Sequence, residues 1–257
     1  MQCKICSQPP APFSTSTILE KYLVKYYRCG HCGFIQTEAP YWLDEAYGES
    51  INITDTGIIR RNLQFGNIVA SLLYLLFNQR GRYLDYAGGY GIFTRIMRDI
   101  GFDFYWQDKH TQNLVARGFE FCGETPVELL TSFEVFEHFV QPLDEIEKML
   151  SLSGTLLFST MLIPKHLPKP GKWWYYGLEH GQHIALYEYK TLVYIAKKYG
   201  LNLCSNKKNI HMFSKKRVSP FWFKMIVLLG RVGFGFYVKT RMQSKTQSDM
   251  DLLLNRK

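Results

Sequence analysis

The chain has 257 residues, enough for one large domain or a main domain with a small appendage. Its 46% hydrophobic content is that of a globular core, and its longest charge-free apolar run falls far short of the ~20 residues that span a bilayer. The net charge of +9 is concentrated after Phe213, where ten Lys/Arg meet two Asp. The rest is nearly neutral, which argues against a phosphate-tracking nucleic-acid groove.

Residues 1–40 read as a small module built on Cys3-x-x-Cys6 and Cys29-x-x-Cys32. Two such knuckles complete a tetrahedral sulfur site, so Cys3, Cys6, Cys29 and Cys32 are the expected ligands of a structural Zn2+. Leu19 to Arg28 reads as a strand returning to that site. The start, Met1-Gln2-Cys3-Lys4, has no apolar leader, and paired thiols without one point to a cytoplasmic protein.

Residues 41–80 read as a linker and covering helix. Ile58, Ile59, Leu63, Ile68, Val69, Leu72, Leu73, Leu75 and Leu76 recur near helical spacing. Strand and helix signals then alternate through a domain expected at 81–217. Strands are predicted at 83–86, 104–107, 127–133 and 154–161, with helices at 92–100 and 142–150. This alternation implies an α/β fold with a parallel sheet. Thr111 to Cys122 gives no clear third strand. A helix over 188–199 precedes strands at 201–204 and 210–213.

Between the first strand and its helix lies Asp85-Tyr86-Ala87-Gly88-Gly89-Tyr90-Gly91. Glycines let a backbone approach a ligand closely, and the helix start behind them offers unpaired N–H groups. The second strand ends at Asp108, the spacing at which an acid takes a ribose diol in nucleotide-binding sheets. The glycine turn resembles the first motif, D-x-G-x-G-x-G, of class I S-adenosylmethionine-dependent methyltransferases. Val127 to His138 resembles their fourth strand and following loop, and Ser153 to Thr160 the next strand. Ala87 departs from the usual glycine, and Ser153-Gly154 from Pro-Gly-Gly.

The resemblance implies a seven-stranded Rossmann-like sheet and S-adenosyl-L-methionine as cofactor. Asp85 would lie near the amino group of its methionine part, with Ala87, Gly88, Gly89 and Gly91 shaping the backbone around it. Asp108 would take the ribose hydroxyls, and Phe133 and Glu134 would lie under the cofactor. Lys109 and His110 would border the adenine.

Acceptor chemistry is expected in the aromatic loop from Trp173 to Tyr187, which holds Glu179, His180 and His183. A histidine can take a proton near neutral pH, and Glu179 would orient such a ring. The loop resembles one in sugar methyltransferases that also begin with a cysteine-rich zinc module. His183 falls on their second histidine, and Gln182 replaces their glutamate, leaving that proton relay incomplete. Glu137-His138 reads as structural. A metal site at His180 and His183 lacks a third ligand close by in sequence beyond Glu179.

The tail, 218–257, reads as basic, apolar and helical. A helix docked on the domain or an oligomer contact is the first reading, and an interfacial helix on a membrane surface the second. The function expected is methyl transfer to a small polar acceptor, a nucleotide-linked sugar or surface-polysaccharide precursor. An RNA-modifying enzyme and a non-catalytic adaptor are the alternatives.

Overall fold

The computed structural model describes residues 1–48, 55–123 and 126–255. In chain order the elements are β1 (Ala11–Ile18), β2 (Tyr22–Arg28), β3 (Ile35–Thr37), α1 (Leu43–Ala46), α2 (Ile58–Leu76), β4 (Arg82–Tyr86), α3 (Ile92–Ile100) and β5 (Asp103–Gln107). There follow β6 (Leu129–Ser132), α4 (Pro142–Leu152), β7 (Thr155–Ser159), β8 (Ala185–Leu186), α5 (Tyr189–Lys198), β9 (Asn202–Ser205) and β10 (Ile210–Ser214). Three helices end the chain: α6 (Pro220–Arg231), α7 (Phe234–Arg241) and α8 (Thr246–Leu254).

These elements form two compact units that interleave in sequence. The first comprises Met1–Asn52, Phe133–Lys148 and Phe158–Lys216, and the second Ile53–Ser132, Met149–Leu157 and Arg217–Lys257. Part of the linker expected at 41–80, residues 49–54, lies outside the described residues.

In the first unit, β1 and β2 form an antiparallel hairpin, β3 adds to β2, and β8 adds to β3. One strand was expected before Cys29, yet two are present. The turn joining them has Leu19 (φ 50°) and Glu20 (φ 53°) in the left-handed region. Asn-Gly or Asp-Gly is the usual sequence for such a turn, so this hairpin carries no turn signal. Its core gathers Val24, Tyr26, Ile35, Trp42, Tyr175, Tyr176 and Leu186.

In the second unit, β4 lies between β5 and β6, all parallel, with Asp85 opposite Trp106 and Thr131. β6 is buried along its whole length, as a central parallel strand requires. The mixed sheet to which these strands belong has the order β5-β4-β6-β7-β10-β9, with β9 and β10 drawn from segments of the first unit. Seven strands were expected, and the described residues form six. The stretch after β5 reaches the sheet only through a bridge between Trp106 and Glu120. Polar residues and Gly118 leave no β-branched run there to extend the pairing.

Candidate active site

The glycine turn is built on a buried acid. Asp85 is 3% exposed, and its carboxylate accepts hydrogen bonds from the hydroxyls of Thr131 and Thr94, each at 3.1 Å. Burial pushes its pKa up to about 7, against the lowering effect of those two hydroxyls. Gly88 sits directly over this acid. A Cβ there would lie 2.7 Å from Asp85 Oδ2 and 2.8 Å from Trp106 Cδ1. Gly89 (φ 53°) faces open space, and Gly91 (φ 85°) caps α3. Ala87 also adopts a left-handed φ, 57°, where a side chain costs about 1–2 kcal/mol.

The end of β5 clamps this turn. Asp108 Oδ2 accepts from the Gly89 amide at 2.9 Å, and Oδ1 from the amides of His110 (2.7 Å) and Thr111 (2.8 Å). A carboxylate offers about four lone-pair sites, so acceptor capacity for a ligand hydroxyl is left over. The Trp106 indole donates to the Gly89 carbonyl at 2.8 Å. The result is an open, rigid backbone edge beside a carboxylate, which suits a ribose-bearing ligand.

A second constellation belongs to the first unit. Glu134 holds a left-handed φ of 56°, its amide donating to Ser159 Oγ (2.7 Å) and its carboxylate accepting from that hydroxyl (2.5 Å). The following 3-10 turn, Phe136–His138, presents Glu137 and His138. The rings of His138 and His180 lie 5.1 and 4.7 Å from that of His183. His183 Nδ1 donates to the Tyr175 carbonyl at 2.6 Å, which leaves Nε2 as the basic nitrogen. Burial lowers the His183 pKa, partly opposed by that carbonyl, and lowers His180 to about 4, so both rings are neutral at pH 7.

Other expected residues sit elsewhere. Glu179 is exposed and makes no hydrogen bond to either histidine among the described residues. The Gln182 side chain donates to the Ala46 carbonyl at 2.7 Å, and the Gln182 backbone N–H donates to His180 Nδ1 at 3.1 Å. It therefore fixes the loop and not a proton path. Lys109 and His110 are exposed.

The four cysteines of the hairpin module gather with their sulfurs within 4.8 Å of one another. The Cys3–Cys32 and Cys6–Cys29 separations are 3.5 and 3.4 Å. A tetrahedron with bonds of about 2.3 Å has edges of about 3.8 Å, so the cluster fits a tetrahedral metal with slight expansion. The two knuckles match. Ser7 and Gly33, each following a second cysteine, take φ 60° and 79°, and their amides reach back to the Cys3 and Cys29 carbonyls at 2.9 Å.

Residues 59–206, more than half of the chain, match the methyltransferase domain family. The chain belongs to that family. Solved structures with which this methyltransferase shares its fold include TnmH, at 14% identity and TM-score 0.51 over 69% of this chain and 62% of that one. Weaker likenesses, from which no shared fold is drawn, are to magnesium protoporphyrin IX methyltransferase from Synechocystis PCC 6803 with bound SAH (16% identity, TM-score 0.47, 67% of this chain and 93% of that one) and to an O-methyltransferase family protein from Burkholderia thailandensis (14%, 0.43, 69% and 68%). No curated protein matches the chain at a significant level.

In this methyltransferase Glu137 and His138, which read as structural in the sequence, join the histidine constellation together with Tyr47. Glu137 is fully buried, and Tyr47 Oη lies 2.8 Å from His138 Nδ1. Glu137, His138 and His183 each bring one ligand atom within 4.8 Å of the others. Two imidazoles and a carboxylate form a donor set for a divalent cation. The signal was present as Glu134-x-x-Glu137-His138, but its third partner, His183, lies 45 residues further on.

Proposed function

We propose that this methyltransferase uses S-adenosyl-L-methionine, held on the turn from Ala87 to Gly91 with Asp108 receiving ribose hydroxyls, to methylate a small hydroxylated acceptor. A nucleotide-linked sugar or polysaccharide precursor is the acceptor class that fits the aromatic loop. The cofactor, when bound, supplies the activated methyl group. His183 takes the acceptor proton at Nε2, held in the right tautomer by the Tyr175 carbonyl. Burial keeps it neutral and ready at pH 7. Glu134, fixed by Ser159, provides a negative charge that favours the imidazolium formed.

The single observation behind this reading is the hydrogen bond that fixes the His183 tautomer and leaves Nε2 as the basic nitrogen in a cluster with His138 and His180. Zinc on Cys3, Cys6, Cys29 and Cys32 is structural in the proposal, because four thiolates leave no position for water. The module then has a mechanical role. β8 pairs with β3 directly after His183, Trp42 Nε1 donates to the Gly181 carbonyl (2.8 Å), and Arg28 pairs with Glu188 (2.6 Å). Thr191 Oγ1 also donates to the Cys32 carbonyl at 2.8 Å. The module and Trp42 thereby brace the chain on both sides of His183.

The test is methyl transfer from labelled S-adenosylmethionine to a panel of sugar nucleotides, with transfer RNA beside them, at low and high salt. Salt-insensitive labelling of a sugar nucleotide supports the reading, and steeply salt-dependent labelling of RNA alone refutes it. A second reading follows from the Glu137, His138 and His183 cluster. A divalent cation there would supply Lewis-acid polarisation of the acceptor oxygen. Turnover that needs added Mg2+ or Mn2+ while the cysteine zinc stays bound would favour it.

A further inference from the structure

We propose that the outer face of α6 and α7 seats this protein on an anionic lipid surface. α6 carries two apolar stripes on opposite sides. Phe223, Ile226, Val227 and Gly230 are buried within the second unit. Gly230 and Gly235 let the helices press onto α2, since added Cβ atoms would lie 2.7 and 2.6 Å from the Ile68 and Asn67 Cα atoms. A docked helix needs only one such stripe. The other one, Phe221, Trp222, Met225, Leu228, Leu229 and Val232, recurs at helical spacing along three turns and stands in solvent. Phe221, Trp222 and Val232 are 64, 60 and 72% exposed, and Phe236 on α7 is 67% exposed. A contiguous apolar face of this kind marks an interaction surface.

The charge around it identifies the partner. From Lys215 to Lys245 the chain has eight Lys/Arg and no Asp or Glu. Lys224 and Arg231, seven residues apart, lie along one border of the exposed stripe, and Lys239 and Arg241 close α7. Aromatic and aliphatic side chains edged only by cations complement anionic headgroups over acyl chains. A protein partner or a second copy would have to meet this positive rim with acids of its own. No single helix is long and apolar enough to cross a membrane, and α6 and α7 meet at 84°. The two are long and apolar enough only together, as a bent pair. Because one face of α6 is buried and both helices press on α2, the proposal lays them on the surface with Trp222 and Tyr237 at headgroup depth.

The full chain, zinc included, would be floated with vesicles of 70:30 phosphatidylcholine and phosphatidylglycerol and with pure phosphatidylcholine. Binding to the anionic vesicles alone is expected, weakened by 0.5 M NaCl, with Trp222 emission quenched by brominated acyl chains relative to Trp222→Phe. Lys224→Glu with Arg231→Glu should lower the affinity at least tenfold, and Trp222→Ser with Leu228→Ser and Val232→Ser should abolish it. All these side chains are exposed, so the variants keep the wild-type melting temperature and S-adenosylhomocysteine affinity. Absence of binding by the folded protein overturns the proposal. So does a dimer in solution that the triple variant dissociates, which would assign the face to a second copy.

Discussion

The glycine cradle and the histidine cluster are assembled in opposite ways. Cradle contacts are shorter in sequence range: Asp85 to Thr94 spans 9 residues, Gly89 to Asp108 19, and Asp85 to Thr131 46. The cluster is gathered from afar, with Tyr47 to His138 spanning 91, Trp42 to Gly181 139, and Arg28 to Glu188 160. A turn between two paired strands holds itself in shape. A loop drawn from distant segments needs a brace, and here the cysteine knuckles supply it. The two sites also titrate in opposite senses. Burial raises Asp85 and lowers His138, His180 and His183, because in each case it disfavours the charged form.

Breaking the brace separates the two regions most sharply. Cys29→Ser with Cys32→Ser should cut turnover by about 100-fold or more through loss of metal and loop position, while S-adenosylhomocysteine affinity stays within about threefold. Paired turnover assays and calorimetry measure this. Equal loss of both would mean that the cradle also depends on the module.

Removing the proposed base comes next. His183→Ala should lower kcat by about 10²–10⁴-fold with cofactor affinity unchanged. In the wild type the acid limb of kcat/KM should lie at lower pH than that of an ordinary histidine, since burial lowers the His183 pKa.

Stability against pH sharpens the contrast. The Asp85 pKa is raised from about 3.9 unfolded to about 7 folded, so its protonated form stabilises the fold. That contribution is complete below the unfolded value and is lost as pH rises through 7. The three histidines run the other way, stabilising above about 6.5 and losing that contribution as pH falls through it toward their lowered values. Asp85→Asn should remove the alkaline loss, on the order of 2–4 kcal/mol, and leave the acid loss intact. Denaturant midpoints at pH 5, 6.5 and 8 check it.

The smallest effect is expected at Ala87. Glycine there relieves the left-handed strain and adds unfolded-state entropy, for a net gain of up to about 1 kcal/mol in thermal melts.

The same contrast explains what could be read from the chain. β4, α3 and β5 were legible because Tyr83-Leu84, the glycines and Asp108 sit in one contiguous pattern whose spacing has a physical cause. α2 was legible from its apolar recurrence. β1 was hidden because Leu19 and Glu20 make a left-handed turn without glycine. Thr111 to Cys122 gives no clear strand in the sequence, and among the described residues it meets the sheet through the Trp106–Glu120 bridge. Glu137 and His138 read as loop structure because their relation to His183 exists only after β8 joins β3.

Calorimetric titration with S-adenosylhomocysteine decides between the two regions as cofactor and acceptor sites. Wild type, Asp108→Ala and His183→Ala would be compared, all folded and zinc-loaded. Micromolar binding by wild type and His183→Ala, lost in Asp108→Ala, is the predicted result. No binding by the wild type, or equal loss in both variants, would contradict the assignment of the cofactor to the glycine cradle and of the acceptor chemistry to the histidine cluster.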